Sequence, residues 1–153
     1  MEILSNECNF NPKHFNVFNL SIIEDRVYAE MGTKTKIMQG FKIYLDVELR
    51  LQNAKKYNSV FSYNMDICRS LLSLRNAFYK KWVVSILKYG NFSDKCPVLP
   101  GYYYLKDFKL EDDLIPGFMF SGDYRIHLKG FYGRFKANSA DTFMHCVFIV
   151  RLS

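Results

Sequence analysis

From Phe41 to Leu51 the chain alternates without a break. Phe41, Ile43, Leu45, Val47, Leu49 and Leu51 fall on one side, and Lys42, Tyr44, Asp46, Glu48 and Arg50 on the other. A period of two sustained this long is the mark of a strand with one buried and one wetted face. Whatever this chain folds into therefore contains a sheet that is dry on one side only. Around this strand, Phe15 to Ile23 and Arg26 to Met31 are β-prone runs separated by Glu24-Asp25, with Gly32 and Gly40 at turn or bulge positions. Tyr57 to Tyr63 reads as the returning strand of a hairpin bent at Gln52-Asn53-Ala54. A meander is the economical topology for this half.

The period then changes. Ile67, Leu71, Leu74, Phe78 and Trp82 share one stripe, with Arg69, Ser73, Asn76 and Lys80 opposite, which predicts one amphipathic helix over about residues 66–88. Asn64 or Asp66 can cap its start and Gly90-Asn91 suits its stop. Beyond it, Tyr102 to Leu110, Phe118 to Phe120 with Asp123 to Phe135, and Thr142 to Leu152 read as strands. Their boundaries are the turn-prone segments Glu111-Asp112-Asp113, Ser121-Gly122 and Ala137-Asn138-Ser139-Ala140. About seven strands and one helix describe a mostly β chain, a β-sandwich, in a single domain over residues 8–152. At 153 residues and 49% hydrophobic content there is material for one core. The longest apolar runs, such as Cys146 to Val150, fall far short of the ~18 residues a membrane-spanning helix needs.

A net charge of +6 favours anionic partners, but the densest basic groups are only Lys55-Lys56 and Lys80-Lys81. An anionic membrane surface fits this pattern as well as nucleic acid does. Lys129 to Phe135 is similar to an RNA-stacking motif, yet Tyr132 stands where that motif wants Gly or Ala and Gly133 where it wants Phe. Nucleic acid is accordingly not an expected partner.

Catalytic and metal chemistry find little support. The three histidines, His14, His127 and His145, sit in no recognisable motif, and strand geometry turns His145 and Cys146 to opposite faces. Glu111-Asp112-Asp113 lacks the spacing of a calcium loop. Asp46 and Glu48 share a face with Lys42 and Arg50, which reads as a salt-laced solvent face. No enzymatic activity, cofactor or metal is expected. Cys8, Cys68, Cys96 and Cys146 contain no C-x-x-C pair, so their wide gaps suit long-range disulfides, with four buried thiols as the alternative. Two sequons, Asn19-Leu20-Ser21 and Asn91-Phe92-Ser93, lean towards secretion and mark Asn19 and Asn91 as candidate glycosylation sites. Met1 to Glu7 has neither a basic nor an extended apolar region, so an extracellular protein would be read here in its mature form.

Asp66-Ile67-Cys68, Asn91 with Cys96-Pro97, and Gly122-Asp123-Tyr124 together resemble a pattern found in an insect family of secreted proteins of unknown function. That family is related to the chemosensory B proteins and to the ML lipid-recognition superfamily, which includes the ganglioside activator. The resemblance covers roughly residues 8 to 150. It implies an immunoglobulin-like β-sandwich with an apolar cavity between its sheets, a signal peptide on the precursor and no enzymatic activity. It also implies pairing of Cys68 with Cys96, similar to the superfamily's internal bridge, and of Cys8 with Cys146, tying the termini.

The expected function is that of an extracellular, non-enzymatic binding protein that carries or presents a lipid-like or other hydrophobic ligand, in a chemosensory setting. A membrane receptor or an anionic membrane surface would be its further partner. The expected cavity residues are Ile43, Leu45, Val47, Ile126, Leu128, Phe148 and Val150, each alternating with charged neighbours that should face water. A secreted protein-interaction module without its own small ligand ranks second, and a basic nucleic-acid-binding domain third.

Overall fold

A computed structural model of the chain describes residues 1–72, 80–109, 119–133 and 141–153. Among these residues the elements run β1 (Glu2–Phe10), β2 (Phe15–Ile23), β3 (Arg26–Thr33), β4 (Phe41–Arg50), β5 (Asn58–Asp66), α1 (Ile67–Leu72), α2 (Lys80–Lys88), β6 (Gly101–Lys109), β7 (Gly122–Tyr132) and β8 (Asp141–Leu152). They form two antiparallel sheets, one ordered β1-β8-β7-β4-β5 and one ordered β2-β3-β6. The protein is a mostly β sandwich, as the alternation predicts.

Two hairpins are set by local turn chemistry. Glu24 takes φ 58° between β2 and β3. Asn53 takes φ 70° between β4 and β5, where the Ala54 N–H closes the turn onto the Leu51 carbonyl at 2.9 Å. The meander expectation fails between them, because β3 and β4 belong to different sheets. Gly40 at φ 98° and a bridge between Ile37 and Val98 redirect the chain there, and alternation within a strand carries no information about which sheet it joins.

Among the described residues there are eight strands rather than about seven. The added one, β1, is an edge strand whose pattern is broken by a bulge between Ile3 and Ser5, so only Ile3 and Cys8 pack inward and the two-residue period is lost to sight. The helical stretch comprises α1 and α2, while residues 73–79, with much of the predicted stripe, lie outside the described residues. Asp66 does cap it: its Oδ1 accepts the Arg69 N–H at 3.1 Å. Gly90 ends it for a steric reason, since a side chain there would collide with the Tyr104 carbonyl of β6. Met119 and Phe120 are not strand, and β7 begins at Gly122. The turns expected at 111–113 and 137–140, together with Leu110, Phe118 and Phe135, also fall outside the described residues.

Three apolar groups make up the core among the described residues. Phe15, Phe41, Phe143 and Met144 lead the first; Val27, Leu105 and Phe108 the second, against Ile86 of α2; Cys146, Phe148 and Val150 the third, against Phe18, Leu20 and Ile22 of β2.

Candidate functional site

Register across the five-stranded sheet decides which side chains share a face. Leu45 of β4 pairs with Leu128 of β7, which pairs with Cys146 of β8; Val47, Ile126 and Phe148 form the next row. On β5, Tyr63 and Phe61 extend these two rows. Burial falls along them. Cys146, Phe148 and Val150 are 0%, 6% and 5% exposed, whereas Ile126, Leu128, Leu45 and Val47 are half-buried.

The seven residues predicted to line a cavity therefore divide. Phe148 and Val150 belong to the closed core, and Ile126 and Leu128 pack against it. Ile43 packs on the Phe15 and Phe41 group. Among the described residues, Leu45 and Val47 join none of the three core groups, and they stay half-buried on an interior strand with neighbours on both sides. An open depression of about 610 Å³ lies elsewhere, at the end of the sandwich, lined by Met1, Glu2, Ile3, Ile22, Glu24 and Asp25; none of the seven predicted residues borders it.

Two disulfides brace this framework. Cys8–Cys146 joins paired positions of β1 and β8 and is buried in the third core group. Cys68–Cys96 ties α1 to the segment before β6, where Cys96 packs against the first core group. Both pairings are those the resemblance implied, and neither cysteine pair is left as thiols.

The opposite face of the same sheet is an ion ladder. Glu48 accepts from Arg125 Nε at 2.8 Å and from His127 Nε2 at 2.6 Å. Asp123 accepts from Arg50 and Arg151, each at 2.8 Å. The Arg151 and Arg50 guanidiniums hold the Asp123 carboxyl down to about 2, and Arg125 holds Glu48 below the usual carboxylate range. Burial, then the neighbouring His127 and Lys129, push His145 down from its ordinary value. The Tyr57 ring lies beneath both Arg50 and Arg125, with guanidinium carbons 4.9 and 4.4 Å from its centroid. The salt-laced face read from Asp46, Glu48, Lys42 and Arg50 is present, but the partners come from β7 and β8 rather than from β4 itself.

A polar lock at the other end has no signal in the sequence. His14, 4% exposed, stacks on Phe143 and bonds Thr35 Oγ1 through Nδ1 at 2.9 Å and Asp141 through Nε2 at 2.9 Å. It pins the β1–β2 turn to the start of β8. The two sequon asparagines are both exposed. Asn19 Nδ2 donates to Glu30 at 3.0 Å, and Asn91 Nδ2 donates to the Tyr102 carbonyl at 3.0 Å, each leaving a second amide hydrogen. Among the described residues no group of three His, Cys, Asp or Glu is placed to hold a metal ion, and no helix is long and apolar enough to cross a membrane.

Fold, bridges and inner face define a disulfide-braced β-sandwich whose apolar interior grades from closed at β8 to half-open at β4. Residues 43–126 match a family of proteins of unknown function (DUF1091), just over half of the chain, and the protein belongs to that family. The matched stretch runs from β4 into β7 and includes Cys68–Cys96 but not Cys8–Cys146. No curated protein matches the chain.

Proposed function

We propose that the protein is a secreted, non-enzymatic carrier or presenter of a lipid-like ligand, held by its apolar part against the inner face of β4 and β7. The observation that carries this reading is the contrast within one sheet face: Phe148 and Val150 on β8 are closed into the core, while Leu45 and Val47 on β4, equally apolar and on a strand equally far from the sheet's edge, remain half-buried. An ordinary close-packed interior leaves few voids larger than a water molecule. The resemblance to the chemosensory B proteins and the ML superfamily supports the same ligand class and a chemosensory role. The disulfides suit an oxidising compartment, and Asn19 and Asn91 are accessible to glycosylation there.

The test is uptake by delipidated, disulfide-intact protein of a fluorescent fatty acid and a fluorescent sterol. Saturable uptake of either, competed by its unlabelled parent, supports the carrier. Absence of uptake of both transfers the reading to a protein-interaction module. That second reading rests on Tyr102 and Tyr104, which stand exposed side by side on β6 with ring centroids 6.4 Å apart.

A further inference from the structure

One end of the sandwich carries large apolar side chains that the core does not use. Phe120, in the segment entering β7, is 72% exposed, and Leu51, at the end of β4, is 55% exposed. The ladder brings their segments to the same end of the sheet. Arg50 pairs with Asp123, the second residue of β7, so Leu51 leaves β4 at the end where the segment bearing Phe120 enters β7. Adjacent strands lie about 4.8 Å apart. A side chain on Gly122 would press on Leu49 and on the Arg50 carbonyl, which shows how closely the two chain ends approach.

Both segments are held in place by the fold. The Phe120 carbonyl accepts from the hydroxyl of buried Tyr124 at 2.7 Å, fixing the backbone while its own ring points to solvent. The Leu51 carbonyl accepts the Ala54 N–H across the β4–β5 turn. That turn also bears Lys55 and Lys56, both exposed and without an ion pair among the described residues. Arg50 and Arg125 nearby are already paired with Asp123 and Glu48. The acidic residues Glu2, Glu24 and Asp25 stand around the depression beside β1, three strand positions away from β4. Among the described residues, exposed apolar and unpaired basic groups thus gather at the β4–β5–β7 corner, and Glu2, Glu24 and Asp25 at the opposite corner of the same end.

We propose that this corner is a docking surface for an anionic lipid bilayer, with Phe120 and Leu51 entering the interface and Lys55 and Lys56 on the head groups. Rigid apolar anchors beside basic side chains, on a protein of net charge +6, complement a negatively charged, apolar-cored surface. Neither anchor is among the seven residues expected to line a cavity, so the proposal stands apart from ligand carriage.

The experiment is co-sedimentation of the untagged, disulfide-intact protein with phosphatidylcholine vesicles, with and without phosphatidylserine. The wild type should partition preferentially to the anionic vesicles, and less as salt rises. Lys55→Gln with Lys56→Gln should lose on the order of tenfold on anionic vesicles and leave the weak neutral partition unchanged. Phe120→Ser and Leu51→Ser should weaken partition to both, with thermal midpoints confirming that these exposed variants still fold. Lack of vesicle association at low salt overturns the proposal. So does binding that ignores Phe120 and Leu51 and is matched on heparin, which would assign the corner to a polyanion or acidic protein. Probe uptake measured without vesicles reads ligand carriage separately, so failure of either reading is visible alone.

Discussion

Cys8 lies directly across the β1–β8 ladder from Cys146, their Cα atoms 4.1 Å apart, so one bond fastens an edge strand to the strand that forms the closed wall of the core. The link spans 138 residues, against 28 for Cys68–Cys96. Chain-entropy reasoning gives about 5 kcal/mol for the longer loop and about 3.5 kcal/mol for the shorter. Replacing Cys8 and Cys146 together by alanine should therefore destabilise more than replacing Cys68 and Cys96, as read from denaturant midpoints of each double variant. The reverse order would mean that the unfolded chain is already restricted within its terminal segments.

Asp123 gives the molecule an acid-sensitive joint. Its carboxyl, held down to about 2 by Arg151 and Arg50, is depressed in the folded state relative to the unfolded one. A depressed carboxylate contributes stability that is present above the unfolded value of about 3.9 and is lost as pH falls through the folded value. The thermal midpoint should fall between about pH 5 and pH 2. Asp123→Asn should lower it at neutral pH and flatten that acid limb. An unchanged acid limb in the variant would remove Asp123 from the account.

Gly130 is a packing requirement rather than a turn. A Cβ there would sit 2.5 Å from Met144 Sδ and 2.9 Å from Phe41 Cζ. The methionine sulfur can shift, but the Phe41 ring is boxed in by Tyr132 and Phe143. Gly130→Ala should cost about 1–3 kcal/mol in denaturant unfolding, as overpacking does in a closed core. A neutral result would show the first core group to be looser than its burial implies.

These residues also show what a sequence can and cannot display. Alternation from Phe41 to Leu51 exposed β4 completely, because its two faces meet environments as different as core and water. Gly130 and β1 were invisible for the opposite reason: the first is defined by Phe41 and Met144 on neighbouring strands, and the second by an edge position that buries little. The inner face of β4, β7 and β8 could be read from the same period, yet the gradient of burial along it could not, because a period of two separates the faces of a strand and says nothing of what covers each one. The His14 lock joins residues 127 positions apart, and Glu48 finds Arg125 77 positions away. Neither separation carries any periodic signal.

The gradient itself yields the sharpest test of the interior. Leu45 and Leu128 are register partners on the same face, yet among the described residues Leu128 packs against two core groups and Leu45 against none. Leu128→Trp adds bulk where neighbours already press and should cost about 1–3 kcal/mol. Leu45→Trp adds the same bulk where the face is half-open, so its denaturant midpoint should stay near that of the wild type. If the half-open region takes an acyl chain or sterol, the indole will occupy that space and saturable uptake of the fluorescent probe will be lost from a protein that is still fully folded. Equal destabilisation by the two substitutions, with no probe uptake by the wild type, would mean that β4 faces a filled core.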